Sequence, residues 1–174
     1  MTKTHLTGLI LLGITAVLPA EELSLCNNGK TNNPTYWALN SRIKMPVENY
    51  KSVKTDDGKF YLDAKGKLGD MPLYLANKKI PAEDGEVITF KVTAKGKGKL
   101  QLGIYGYHEK GMSFTAYDVN NDLSSEEKTF TFKRKITMPK RNNAKPTKYL
   151  RPVMIIRKDA EAQITKVEYE ITGE

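Results

Sequence analysis

The sequence predicts an all-β fold, and two observations carry that prediction. From about residue 36 to residue 172 the chain reads as short segments of alternating apolar and polar residues punctuated by Gly, Pro, Asn and Asp, the signature of a sandwich or barrel. No helical period of apolar residues runs long enough to compete. Internal repeats, linkers and low-complexity tails are absent from the sequence, so a single domain over residues 21–174 is expected behind a leader at residues 1–20.

The leader comes first. Lys3 supplies a basic start, residues 6–18 are largely apolar, and Ala20 offers a small residue for cleavage just before Glu21 and Glu22. This order of basic, apolar and small-residue regions is that of a secretory signal. The run is short for a bilayer span, which takes about 20 apolar residues, although an uncleaved anchor is the alternative. The expected location is therefore secreted, periplasmic or on the cell envelope. Cys26 is the one cysteine, so no internal disulfide is possible even on an export route. Leu25 before it argues against a lipid-modified cysteine, because that signal wants a small residue there.

The strand candidates follow in order. Residues 36–43 begin the fold, with Trp37 and Leu39 on one parity. Asp57-Gly58 marks a turn before residues 59–64, where Phe60, Leu62 and Ala64 share a face. Residues 71–76 carry Leu73 and Leu75 opposite Tyr74. Ile88, Phe90, Val92 and Ala94 alternate with polar residues as a half-buried strand does. After the turn Lys95-Gly96-Lys97-Gly98-Lys99, Leu100, Leu102 and Ile104 alternate with Gln101, Gly103 and Tyr105, which predicts a hairpin. The lysines of that turn fit a solvated loop better than a phosphate site. Residues 129–136 put Phe130 and Phe132 on one face, and Val167, Tyr169 and Ile171 share a face of residues 163–172. Residues 150–157 are apolar on both parities at their centre, so that strand should be well covered, with Pro152 where no ladder donor is needed.

The order of these segments, with Ile80-Pro81, Ala94-Lys95-Gly96, Gln101-Leu102-Gly103-Ile104-Tyr105, Thr129-Phe130-Thr131-Phe132, Met138-Pro139, Arg151-Pro152-Val153 and Ile164-Thr165-Lys166-Val167, resembles that of jelly-roll carbohydrate-binding modules. These are the galactose-binding-like group that binds xylan or glucan and accompanies bacterial glycoside hydrolases. The resemblance covers roughly residues 27–172 and implies a two-sheet antiparallel jelly roll that binds polysaccharide without catalysis. It departs from the family at Thr165-Lys166, where an aspartate often stands, and over residues 27–34, which lack the usual aromatic-acidic pair. Those positions commonly help hold a structural calcium, so no metal and no cofactor is expected.

Sugars offer apolar C–H faces and hydroxyl edges, so a binding face needs flat aromatic rings beside hydrogen-bonding groups. Nine Tyr are present, all after the leader. Tyr105 and Tyr107 lie on the parity opposite Leu102 and Ile104, with Gln101 on the same face and Gly103 leaving an open patch. These residues predict a binding floor. Asp118 and Tyr117, with Asn120 and Asn121, are expected at its rim, and Arg151 and Arg157 as donors on one face. Trp37 is a further ligand candidate, although it fits a core residue or strand-end plug better, and Tyr61 and Tyr74 are weaker candidates. Each tyrosine also fits as a cross-strand partner and each arginine as a surface charge.

Little supports catalysis. His108 is the one imidazole outside the leader and sits before a turn, Glu109-Lys110-Gly111. The acid pairs Asp56-Asp57 and Glu126-Glu127 are adjacent and read as turn residues. The formal charge is +8, of which the leader removes only Lys3, and this favours an anionic neighbour such as an acidic polysaccharide or an envelope surface. Scattered basic residues on an exported chain do not suggest nucleic acid. Two other readings stay open: a structural or adhesive envelope protein that contacts another protein or surface, and a small carrier barrel, against which the bulky Phe90, Phe130 and Phe132 argue.

Overall fold

A computed structural model describes residues 19–25, 37–39, 49–67, 69–76, 78–137 and 145–173. The apolar stretch at residues 6–18, Cys26, residues 27–34 and Met138-Pro139 lie outside them.

The described residues form thirteen strands and no α-helix. In chain order they are β1 (Glu21–Glu22), β2 (Trp37–Leu39), β3 (Tyr50–Lys54), β4 (Phe60–Lys65), β5 (Met71–Leu75), β6 (Ile80–Pro81) and β7 (Val87–Lys97). Then come β8 (Lys99–His108), β9 (Gly111–Tyr117), β10 (Asn121–Asp122), β11 (Lys128–Lys135), β12 (Tyr149–Ile156) and β13 (Glu161–Thr172). The first sheet runs β11-β7-β13-β4-β3, with β1 also on β13. The second runs β10-β8-β12-β5-β2, with β6 on β12 and β9 on β8. Every pairing is antiparallel. This is a two-sheet sandwich, one of the two architectures the alternation allows and the one the resemblance implies.

The period-two pattern sets the core. Ile88, Phe90, Val92 and Ala94 of β7 and Leu62 and Ala64 of β4 are buried with Leu100, Leu102 and Ile104 of β8 and Leu73 and Leu75 of β5. Burying a side chain of this size contributes about 1.5–3 kcal/mol. Trp37 is 0 % exposed within this core, and its Nε1 donates to the Ser24 carbonyl at 3.2 Å.

The expected β7–β8 hairpin is not formed. β7 pairs with β11 and β13, whereas β8 pairs with β12, β9 and β10. The chain instead crosses from one sheet to the other at Gly98, where φ is +82° and a side chain would meet Ala160 Cα at 2.8 Å. Glycine alone suits such a corner. Alternation cannot separate the two arrangements, since each strand needs one apolar face in either. Here the two apolar rows enter the core from opposite sheets. The hairpin of this region is one turn later, between β8 and β9, where Tyr107 opposes Met112 and His108 opposes Gly111.

The strands expected near residues 59–64, 71–76, 129–136, 150–157 and 163–172 form, whereas residues 36 and 40–43 of the first candidate lie outside the described residues. β12 is covered on both faces: Leu150, Met154 and Ile156 join the main core, while Val153 and Ile155 lie in a second buried cluster with Tyr105. On one side of β12, β6 takes Tyr149 and Leu150 and β5 takes Val153 to Ile156. These registers leave Arg151 and Pro152 opposite no strand on that side, where a missing N–H costs little.

Candidate functional site

Register decides which side chains meet on the outer face of the second sheet. Tyr149 of β12 opposes Tyr107 of β8, Arg151 opposes Tyr105, and Ile155 opposes Gln101. Val153 opposes Gly103 on β8 and Tyr74 on β5, and Gly103 in turn opposes Tyr117 of β9. Since side chains two apart share a face, Tyr74, Tyr105, Tyr107, Tyr117, Tyr149, Gln101 and Arg151 all belong to it.

At one end of this face the Tyr107 and Tyr149 rings lie stacked, with centroids 5.0 Å apart and planes 4° from parallel. The Arg151 guanidinium carbon lies 5.0 Å from the Tyr107 ring centre, 5.7 Å from Tyr149 and 5.9 Å from Tyr74. Lys79 Nζ lies 5.0 Å from the Tyr149 ring. A cation near an aromatic face is attracted by the ring quadrupole, by about 0.5–2 kcal/mol. Burial pushes the Tyr107 phenol pKa up, while the Arg151 charge and a hydrogen bond from it pull the other way. Further along, Tyr105 packs 6.2 Å from Tyr74 and meets Tyr117 edge-on at 6.4 Å.

The other end is polar and already bonded within itself. Arg157 donates through Nε to Asn120 at 2.7 Å, through Nη1 to Asp70 at 2.5 Å and through Nη2 to Gln101 at 2.7 Å. The Gln101 amide donates to the Asp118 carbonyl at 2.6 Å. The Asp118 carboxylate accepts from the Leu102 N–H at 2.8 Å and from Asn121 Nδ2 at 2.9 Å. This network ties the start of β8 to the loop after β9 and to the end of β12.

Several sequence expectations are corrected by these positions. Trp37 is wholly buried and cannot face a ligand. Tyr105 lies on the expected face but is only 7 % exposed, so it supports the floor more than it offers surface. Gly103 leaves no open patch: a Cβ there would lie 2.4 Å from the Ala116 carbonyl oxygen and 2.5 Å from Tyr117 Cδ1, because the Tyr117 ring folds over it. Gln101, Asp118 and Arg157 sit together, with their polar groups engaged by one another. Tyr107, Arg151 and Tyr117 remain as side chains with accessible surface on this face, while Tyr61 lies on β4 in the other sheet.

Tyr149 and Lys79 were not anticipated. Tyr149 was legible: it precedes the expected strand by one residue and shares the parity of Arg151. Lys79 was not, because only the fold brings the segment before β6 beside β12. His108 closes the β8–β9 turn, its Nδ1 accepting from the Lys110 N–H at 3.1 Å. Among the described residues no group of three His, Cys, Asp or Glu side chains is placed to hold a metal ion.

No family model matches this sequence, and a search of curated proteins finds no match. Solved structures do match. The CBM22-1 xylan-binding domain of Paenibacillus barcinonensis Xyn10C aligns with a TM-score of 0.53 at 10 % identity, over 92 % of this chain and 97 % of that one. The CBM22-1–GH10 modules of Clostridium thermocellum Xyn10B, solved with xylohexaose, align at 0.53 and 12 % identity, over 79 % of this chain and 26 % of that one. The enzymatically active domain of bacteriophage CBA120 tailspike protein 4 aligns at 0.55 and 12 % identity, over 78 % of this chain and 19 % of that one. At such identities the likeness is one of fold alone, a two-sheet jelly roll shared by xylan-binding modules and a tailspike domain.

Proposed function

We propose that this is an exported, single-domain protein that binds a carbohydrate non-covalently on the outer face of its second sheet, without catalysing a reaction. The observation that carries the reading is the stacked Tyr107–Tyr149 pair, half-buried and flanked by Arg151. Such rings can lie against the C–H face of a sugar, and the guanidinium can donate to its hydroxyls or acidic groups. The fold supports the reading by analogy only, since one sandwich hosts many roles. Tyr74 and Tyr105 brace the pair and Tyr117 forms the β9 side. Export rests on the leader at residues 1–20; in the described residues no helix is long and apolar enough to cross a membrane.

The test is a glycan array with residues 21–174, run beside a Tyr107→Ala, Tyr149→Ala double variant of retained fold. Binding that the double variant loses supports the reading, and silence of the folded protein across neutral and acidic glycans overturns it. One observation favours a second reading, a structural or adhesive contact with another protein. Met112, Tyr117 and Val119 are 53, 42 and 77 % exposed along and just after edge strand β9, and an exposed apolar edge invites a partner. A stable oligomer in gel filtration that Met112→Lys dissolves, without glycan binding, would favour it.

A further inference from the structure

Two arginines on one face of the second sheet are treated differently by the fold. Arg157 is held by Asp70, with Asn120 and Gln101 completing its hydrogen bonds. Arg151 has no carboxylate partner among the described residues, and its Nε is buried with no hydrogen-bond acceptor. That one buried donor costs about 1–3 kcal/mol, and the guanidinium, set among Tyr74, Tyr107 and Tyr149 and hydrogen-bonded to Tyr107, has no counter-charge. Cation–π attraction offsets part of that cost and supplies no negative charge.

The surroundings have the same sign. Lys79, over the Tyr149 ring, forms no ion pair with a described residue. Beyond the Tyr107–Tyr149 end, a cavity of about 120 Å³ is lined by His108, Lys145, Pro146 and Lys148, with Glu109 the one acid in its wall. The whole chain carries a formal charge of +8.

We infer that this face takes an acidic sugar, with Arg151 reading the carboxylate of a uronic acid and Lys79 adding to its field. The inference rests on the carbohydrate reading above. A uronic acid combines what the face lacks with what it offers: an apolar ring face for the tyrosines and, at the ring's edge, a planar carboxylate that matches the fork of a guanidinium. A neutral sugar would leave the Arg151 charge uncompensated.

The test uses matched probes. Oligogalacturonate is titrated against its methyl-esterified form, and oligomannuronate and glucuronoxylan oligosaccharides against their carboxyl-reduced forms, with sulfated oligosaccharides as a separate arm. At least one acidic probe is expected to bind at least about tenfold more tightly than its neutral counterpart, the scale of one charged hydrogen bond. Arg151→Gln should remove most of that preference and Lys79→Gln a smaller part. Raising salt from about 50 mM to about 500 mM should weaken the wild type more than Arg151→Gln. If Arg151→Gln does not fold, the wild-type comparison of acidic and neutral probes decides alone. Equal binding of acidic and neutral forms, binding of neutral glycans only, or binding of sulfated but not carboxylated probes overturns the carboxylate assignment and leaves the carbohydrate reading standing. Binding to no glycan at all overturns both.

Discussion

Tyr107 and Tyr149 are directly paired across β8 and β12, and their rings lie 5.0 Å apart and 4° from parallel. An aromatic pair of this kind is worth about 0.5–1.5 kcal/mol beyond its buried area. Tyr149→Ala should therefore cost stability in the range of about 1–2 kcal/mol. Urea denaturation checks this. If the ring is also a sugar platform, the same variant loses at least about tenfold in glycan affinity while remaining folded, a far larger relative effect. A loss of stability with unchanged affinity would make the pair structural only.

Gly103 lies beneath the Tyr117 ring and against the Ala116 carbonyl oxygen. Because the nearest obstacle to a new Cβ is backbone, at 2.4 Å, β9 must move away from β8 to admit one. Gly103→Ala should thus destabilise by about 1–3 kcal/mol, as overpacking does. It should also increase amide exchange along residues 111–117 more than along β12, which lies on the other side of β8. Exchange rates that rise equally on both strands would contradict a local wedge.

The outer face of β8 was legible because its apolar residues alternate: the parity of Leu102 and Ile104 alone put Tyr105 and Tyr107 on it. Which strand neighbours which was less legible. The glycine-bearing turn between β7 and β8 looks alike in a hairpin and in a crossover between sheets, and only the close approach of Ala160 to Gly98 settles it. The site was half legible for the same reason. Parity finds the residues of one strand, but the stacking of Tyr149 on Tyr107 and the approach of Lys79 depend on register between segments far apart in sequence. Exposure was the least legible. Nothing in the neighbourhood of Trp37 in sequence indicates that its indole reaches the Ser24 carbonyl, and Tyr105 is covered by rings from other strands.

Two phenols should titrate late. Burial raises the pKa of Tyr107, with Arg151 opposing it, and burial raises that of Tyr169, whose hydroxyl donates to Glu21 at 2.5 Å. A folded-state pKa above the unfolded value of about 10 means that the folded chain holds these protons longer. Their contribution is fully present below about pH 10 and is lost as pH rises through the folded pKa. Alkaline titration followed by tyrosinate absorbance should show a late component that Tyr107→Phe diminishes. The stability of that variant should fall less steeply above about pH 10 than that of the wild type. An unchanged titration curve would refute the assignment.

Residues 21–25 are part of the fold, and this bears on the cleavage after Ala20 proposed above. Glu21 and Glu22 pair with Tyr169 and Glu168, and the Leu23 N–H donates to the Val167 carbonyl at 2.8 Å. Leu23 and Leu25 are 1 % and 6 % exposed, the Leu25 carbonyl accepts from Ser52, and the Glu21 carboxylate pairs with Lys78. Cleavage after Ala20 leaves all of this intact, whereas a chain starting at Cys26 loses both leucines and the β1 ladder. Losing a buried leucine costs about 2–5 kcal/mol, and a domain of this size has only about 5–15 kcal/mol in all. Residues 21–174 should therefore unfold cooperatively, and residues 26–174 should be unfolded or less stable by about 2–5 kcal/mol or more. If the proposed export occurs, intact-mass measurement of the processed protein should find Glu21 at its N-terminus. A stable, cooperatively folding chain that begins at Cys26 would show instead that β1 is dispensable and that processing is free to occur downstream of it.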